Sequence, residues 1–424
     1  MQIDKNFLNV DFDSIPLDTY WNVGDERECK MHRIHSYPAK FPAFITTKAI
    51  QYAQSIGVNI NVVADIFCGC GTVAYETTRN GKSFWGCDIN PVATLIAKAK
   101  SQKYEEHLII NFHNKILNEF SFLIIDDQEI EDINPRIKYW FRSEQIIDLI
   151  TLKKAIYSVL TDNPIYLNFF LCAFSNILKA TSVWLTKSIK PQVDPNKIPA
   201  NVVTCFNKQV LMMQKASQES QINSGTKIEI ETTNFLNKNI KYPFADLVVT
   251  SPPYVTSYEY ADLHQLSTLW LDFTDDYKSL RQGTIGSLFH ESDFVNDTKQ
   301  LNTIGSQMVN DLYNVDKSKA KAAAKYFVDM QKAISKTYTL LNEKGIALFV
   351  IGNTEYKNIK IDNAKHLVES MIFSGFSQIE VNRRKISKKI LTPYRDQRGK
   401  FTTDKSSRKV YSEEFMIIVR KYGN

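Results

Sequence analysis

Paired cysteines are missing from this chain of 424 residues. Its six cysteines, Cys29, Cys68, Cys70, Cys87, Cys172 and Cys205, lie scattered, without the regular spacing of a disulfide framework. No apolar segment leads the sequence, so export is not expected and the reading is a cytoplasmic protein. Nor is a membrane partner expected. Cys29, His32 and His35 stand at three-residue spacing, but no fourth ligand accompanies them, and no metal is expected. Charge of one sign is also in short supply: 52 Lys and Arg face 46 Asp and Glu, a net +6. That is mild for a protein that holds a polyanion, so any such contact must come from a local cluster. Apolar residues are plentiful at 43%, enough for two packed units.

Glycine is sparse at 15 residues, which makes its placement informative. Two glycines end the apolar run Val62-Val63-Ala64-Asp65-Ile66, as Phe67-Cys68-Gly69-Cys70-Gly71-Thr72. A helix is expected from about Val73 to Arg79, then a strand Ser83 to Asp88 that closes on an acid and continues as Ile89-Asn90-Pro91. Strand, glycine turn, helix, strand and acid form the nucleotide-binding half of a doubly wound sheet. The third glycine of a dinucleotide fingerprint is absent, its place held by Ala74, and no Lys-Ser/Thr follows as a phosphate loop requires. A ligand with a ribose and no phosphate fits better, and S-adenosylmethionine is such a ligand. The glycines let the backbone approach such a ligand, and the acid is placed for its ribose hydroxyls.

Proline is also uncommon, with 13 residues, yet two of them adjoin. Thr250-Ser251-Pro252-Pro253-Tyr254 follows Ala245-Asp246-Leu247-Val248-Val249, which reads as a buried strand. Proline has a fixed φ and no N–H, so the segment is stiff and its carbonyls stay free to accept hydrogen bonds beside a flat aromatic ring. An amine on a planar ring suits such a place. A plain strand-ending turn is the other reading of the same residues.

Together, Phe67-x-Gly69-x-Gly71 and Thr250-Ser251-Pro252-Pro253-Tyr254 resemble the amino-methyltransferases of DNA. The Thr-Ser-Pro-Pro-Tyr form is similar to the cytosine-N4 branch of restriction-modification systems rather than to the Asp-Pro-Pro-Tyr or Asn-Pro-Pro-Tyr forms of adenine-N6 enzymes. His35-Ser36-Tyr37-Pro38-Ala39-Lys40-Phe41-Pro42 resembles the segment that closes over the methionine end of the cofactor. Arg383-Arg384-Lys385-Ile386 and Thr392-Pro393-Tyr394-Arg395-Asp396-x-x-Gly399-Lys400-Phe401 look like the tail of the same enzymes. The resemblance implies a site-specific DNA methyltransferase acting on a flipped-out cytosine in double-stranded DNA, paired in function with a restriction endonuclease. It assigns Ser251 and the Pro252 carbonyl to the amine protons, with Pro253 stiffening the turn and Tyr254 stacking on the base. It assigns Asp65, Phe67, Gly69, Gly71, Thr72 and Ile89 to the lining of the cofactor, Asp88 to its ribose hydroxyls, Tyr37, Pro38, Ala39 and Lys40 to the cofactor lid, and the cofactor carboxylate to Lys40. Glu231-Thr232-Thr233-Asn234 departs from the Gly-Asp expected after the third strand, which leaves Asn234 to serve the adenine edge. An adenine-N6 enzyme would share all these residues. An RNA amino-methyltransferase and a catalytically dead DNA-binding protein are weaker alternatives. The absence of a Pro-Cys pair argues against the cytosine-C5 enzymes, which use a cysteine nucleophile.

The expected architecture is therefore α/β, a Rossmann-like doubly wound methyltransferase sheet with a helical insertion and a basic C-terminal hairpin region. Residues 1–106 form the N-terminal segment and cofactor half, 107–226 a mostly helical insertion, and 227–424 the catalytic half with a polar insertion at 259–323. Helical spacing of apolar residues from Ser143 to Ala180 predicts two or three packed helices. Later strands are expected at Lys227–Glu231, Asp246–Val249, Gly345–Ile351, Phe376–Val381 and Phe415–Arg420. Between residues 383 and 409, eleven Lys or Arg face two Asp. Arg383, Arg384, Lys388, Lys389, Arg395, Arg398 and Lys400 are the expected phosphate contacts, unless the segment is simply a solvated hairpin. Lys187, Lys190, Lys197, Lys208 and Lys215 form a smaller basic patch. Either insertion could read bases.

Overall fold

Alternation builds the sheet. In the strand Leu341–Ile351, Ile346, Leu348 and Val350 join one apolar cluster, while Ala347, Phe349 and Ile351 join another. A two-residue period with both faces apolar marks a strand covered on each side. The computed structural model describes residues 2–3, 7–23, 27–220, 222–223, 225–255, 259–287, 289, 293–386, 394–395, 402–405, 408–409 and 412–422.

The strands are β1 (Gln2–Ile3), β2 (Val62–Asp65), β3 (Ser83–Asp88), β4 (Ile228–Thr232), β5 (Ala245–Thr250), β6 (Leu341–Ile351), β7 (Thr354–Tyr356), β8 (Ile359–Ile361), β9 (Gln378–Lys385), β10 (Tyr394–Arg395), β11 (Arg408–Lys409) and β12 (Glu413–Arg420). Eight of them form one sheet in the order β1-β9-β12-β6-β5-β2-β3-β4; β7 pairs with β8 and β10 with β11. From β4 to β6 all neighbours run parallel, and β12 is antiparallel to both β6 and β9. This is the Rossmann-like methyltransferase sheet anticipated from the sequence. Strand order reverses between β2 and β5, and a doubly wound sheet opens its crevice where that happens, at the carboxyl ends of the strands.

Helices Ala43–Ser55 and Thr72–Arg79 cover one face; Lys317–Leu340 and Asn363–Phe373 cover the other. The expected helices between Ser143 and Ala180 are Ser143–Leu160 and Pro164–Ile177, joined in the insertion by Glu106–Phe122 and Val202–Gln218. They share one apolar cluster with Cys70, Tyr75, Val92, Leu95 and Ile96, so the insertion is packed onto the cofactor half. Within the cofactor half, Gly71 lets the glycine turn and the helix Pro91–Lys100 meet closely. Its φ is +74°, and a Cβ there would fall 2.6 Å from the Ala97 Cα on the helix Pro91–Lys100. Among the described residues no helix is long and apolar enough to cross a membrane.

The basic tail departs from expectation. Arg384 lies in β9 opposite Glu414 of β12, is 2% exposed, and gives Nε to Glu414 Oε1 at 2.6 Å. Its guanidinium also sits over the Phe44 ring at 5.3 Å. Arg383 pairs with Glu413 at 3.4 Å and donates to the Asp13 carbonyl. Both were expected on phosphates; Arg384 is instead turned into a buried ion pair, while Arg383 stays partly exposed and is held by Glu413 and the Asp13 carbonyl. Lys388, Lys389, Arg398 and Lys400 lie outside the described residues, and Arg395 is described only as backbone of β10. Arg384→Ala leaves a carboxylate buried without its partner, so it should lower unfolding free energy by about 3–5 kcal/mol in denaturant titration. Arg384→Met with Glu414→Leu should recover most of that loss.

Candidate active site

At the switch point the ends of β2 and β5 are tied directly together. Thr250 Oγ1 donates to Asp65 Oδ1 at 2.7 Å, and the same oxygen accepts the Phe67 N–H at 3.1 Å. Asp65 is buried, and desolvation pushes its carboxyl up to about 7 despite those two donors, with the nearby Asp88 adding to the rise. No cation appears among the groups that shift it. Asp88 ends β3 and takes the Gly69 N–H on Oδ2 and the Asn90 N–H on Oδ1, each at 2.8 Å. Burial raises its carboxyl while the two amides oppose the rise. Each Asp88 oxygen has a further lone pair, so the carboxylate can accept from ligand hydroxyls while it holds the glycine turn.

The turn after β5 has a fixed pattern of donors and acceptors. Ser251 Oγ donates to the Val350 carbonyl at 3.0 Å. Tyr326 donates to the Pro253 carbonyl at 2.9 Å, and Tyr254 Oη accepts the Gly352 N–H at 3.1 Å. Pro252 is buried, and none of the described residues donates to its carbonyl. Two acceptors remain: the Ser251 hydroxyl oxygen and the Pro252 carbonyl. The half-buried ring of Tyr254, held at its hydroxyl, stands beside them.

A cleft of about 1830 Å³ joins the two turns, reaching from Phe67, Gly69 and Asp88 to Ser251, Pro252 and Tyr254. Its cover comes from two distant parts of the sequence. Tyr37 lies over Gly69, where a Cβ would be 3.7 Å from its hydroxyl, and stacks on Tyr260 with centroids 5.7 Å apart. His264 packs against both Tyr37 and Tyr260 and accepts at Nδ1 from Asn90 Nδ2 at 2.8 Å. The Asn90 oxygen already caps the helix Pro91–Lys100, so its NH₂ is the donor and the His264 proton sits on Nε2. Ala39 turns the lid segment at a φ of +52°.

Sequence-predicted residues thus gather, with changed duties. Thr72 is buried at the start of its helix, while Pro38, Ala39 and Ile89 border the cleft. Lys40 borders it too, but its ammonium pairs with Glu28 at 2.9 Å and donates to the His32 carbonyl at 3.0 Å. Asn234 holds the Gly283 carbonyl at 3.0 Å and caps the turn at Leu236, so both ends of its amide are engaged. His32 pairs with Glu76 at 2.7 Å and His35 with Ser175 at 2.9 Å. Of the smaller basic patch, Lys197 is pinned to the Lys179 and Trp184 carbonyls, whereas Lys190 is exposed on the cleft border. Sequence reasoning missed Val350, Tyr260 and Asp262, the last of which holds Arg281 at 2.6 Å. Nothing local marks these residues, since their place depends on tertiary packing.

Known proteins align with this arrangement. Over 358 residues the chain is 27% identical to the Type II methyltransferase M.MvaI of Kocuria varians, covering 78% of each protein. The chain is similar to a Type II methyltransferase over most of its length. It is also 29% identical over 117 residues to the Type II methyltransferase M.MjaII of Methanocaldococcus jannaschii, 27% of this chain and 21% of that one. Residues 48–170 match the model of a family described as D12 class N6 adenine-specific DNA methyltransferase. That match ends well before the Ser251 turn. A solved SAM-dependent methyltransferase from Methanosarcina mazei aligns over 92% of this chain and 100% of its own at a TM-score of 0.32 and 10% identity, too low to carry argument.

Asp65 sets a pH dependence. Its carboxyl titrates near 3.8 when unfolded and near 7 when folded, so the native state holds the extra proton between these values. The stability it contributes is full below about 4 and falls as pH rises through about 7, by a few kcal/mol in all. Asp65→Asn should abolish that decline and raise the melting temperature at pH 8 relative to the wild type, as read by thermal unfolding across pH 4–8.

Proposed function

We propose that this chain is a site-specific DNA methyltransferase, moving a methyl group from S-adenosylmethionine to the exocyclic N4 amine of a flipped-out cytosine. As the modification enzyme of a restriction-modification system it would work alongside a restriction endonuclease. One observation carries the reading: two acceptors, Ser251 Oγ and the Pro252 carbonyl, stand beside an aromatic ring across a cleft from a ribose-type acid, Asp88. The Type II methyltransferases that the chain resembles support it. Thr-Ser-Pro-Pro-Tyr favours cytosine. Adenine N6 is the second reading, favoured by the description of the family matched at residues 48–170. That segment holds the cofactor half and inserted helices but not the turn that would hold the base.

The donor set fits the cofactor. Asp88 has lone pairs for two ribose hydroxyls, Gly69 presents bare backbone, and Tyr37 can cover the methionine end. Asp65 is a buried carboxyl with no ion-pair partner among the described residues, which suits a positively charged ligand. When bound, S-adenosylmethionine supplies a methyl group on a positively charged sulfur. Everything else falls to the protein. A base inside a duplex cannot reach this cleft, so the nucleotide leaves the stack, at a cost of about a few kcal/mol offset by Tyr254 stacking and the two acceptors. Ser251 and Pro252 take the two amine protons, which turns the nitrogen lone pair toward the cofactor half. The aromatic amine is a weak nucleophile, so orientation and exclusion of water supply most of the acceleration. A nitrogen–carbon bond would form as the carbon–sulfur bond breaks, the sulfur keeping the electron pair, and the surplus amine proton would pass to water. Lys190 on the cleft border is suited to a phosphate.

Nucleoside mass spectrometry on DNA from a methylation-deficient host expressing the chain should find N4-methylcytosine. N6-methyladenine would select the second reading, and unmodified DNA would sink both. Asp88→Ala should weaken S-adenosylmethionine binding at least tenfold by calorimetry, the loss expected when charged hydrogen bonds disappear.

A further inference from the structure

The ladder between β5 and β6 ends at Thr250, paired with Phe349. Beyond it stand Pro252 and Pro253, which have no N–H to give. The Val350 carbonyl, one residue past the last pair, takes the Ser251 hydroxyl at 3.0 Å instead of an amide. Val350 cannot easily move to break this bond. Its residue is 2% exposed, its side chain packs in the cluster with Leu348 and Met416, and its strand pairs with β12 on the far side.

A hydroxyl has one proton and two lone pairs. Here the proton is committed to Val350, so the oxygen facing the cleft can only accept. We propose that the main-chain carbonyl of Val350 is a positioning group that fixes Ser251 as an obligate acceptor for the substrate amine. This rests on the methyltransferase reading and deepens it. Two consequences follow from the chemistry. The surplus amine proton does not leave through Ser251, because the serine proton would have to pass to a carbonyl that cannot keep it. The side chain at 251 must also be able to donate inward while it accepts outward. Serine does both, and so does an amide, giving its NH₂ to Val350 and its oxygen to the substrate. An ionised carboxylate held as Ser251 is held does not, because it sets a negative oxygen against the Val350 carbonyl with no proton between them, so an Asp-Pro-Pro-Tyr turn needs a donor in that place rather than a carbonyl. A protonated carboxyl restores the pattern.

The test compares wild type, Ser251→Ala, Ser251→Asn and Ser251→Asp in methyl transfer to DNA between pH 6 and 8. S-adenosylmethionine affinity and melting temperature are measured for each as controls of folding. Ser251→Ala should lose about a hundredfold or more in turnover, as when one buried hydrogen-bonding group at a reacting centre is removed. Ser251→Asn should retain activity well above Ser251→Ala at every pH. Ser251→Asp should match Ser251→Ala at pH 8, and its rate relative to wild type should climb by up to about tenfold per unit as pH falls, following the protonated fraction. Taking the ratio cancels the titrations that the two proteins have in common. A Ser251→Asp protein as active as Ser251→Asn with a flat ratio would overturn the assignment of Val350 and leave the methyltransferase reading standing. So would folded, cofactor-binding Ser251→Asn and Ser251→Asp proteins that stay as inactive as Ser251→Ala throughout. A wild-type chain that transfers no methyl would overturn both.

Discussion

The hydrogen bond from Thr250 to Asp65 joins the two halves of the molecule at the place where the strand order turns back. On one side of it the chain runs into the glycine turn, on the other into the proline turn. Asp65 spends one oxygen on both, through the Thr250 hydroxyl and the Phe67 amide. If that contact shifted by an ångström, so would the spacing of the glycine and proline turns across the cleft, and reactions that depend on alignment are steeply sensitive to such a change. The arrangement has an energetic cost, since a carboxyl is kept in a place that disfavours its charge.

Much of this was legible in the chain because the decisive motifs are local. Gly69, Gly71 and Asp88 needed only a strand, a turn and a second strand in sequence, and the strand at Ser83–Asp88 ends where the acid predicts. Five later strands also follow from apolar runs, each within a few residues of its expected bounds. What escaped was set by contacts distant in sequence. Arg384 reads as a member of a basic run, and only the register of β9 against β12 shows it facing Glu414. Lys40 is a lysine in a lid motif until Glu28 is seen beside it. β1, β7 and β8 have two or three residues each, too few to show a period.

The two long insertions are not alternatives in space. The helical one stacks behind the glycine turn, while the polar one begins at Glu259 and packs across both. Gln265 accepts from Arg136 and Trp140 of the first insertion, and Ser267 bonds Ser175. Further along, Gly283 rests on Ile89 and Asn234. Each insertion therefore supports the other, and each contributes to the cleft border, at Lys190 and at Thr284.

The Tyr37–Tyr260 stack has an implication for how the protein is made. A ribosome releases the chain from its N-terminus, at roughly 5–20 residues per second. Tyr37 emerges early, together with the glycine turn it will cover, but its partner follows only after the inserted helices, β4, β5 and the proline turn have been synthesised. The first half can pack its helices during that interval, yet its ligand pocket has no second wall until Tyr260 arrives. The tyrosine stack beside the glycine turn is thus completed only after the proline turn has been made, and a nascent chain stalled before it would leave the crevice open on that side.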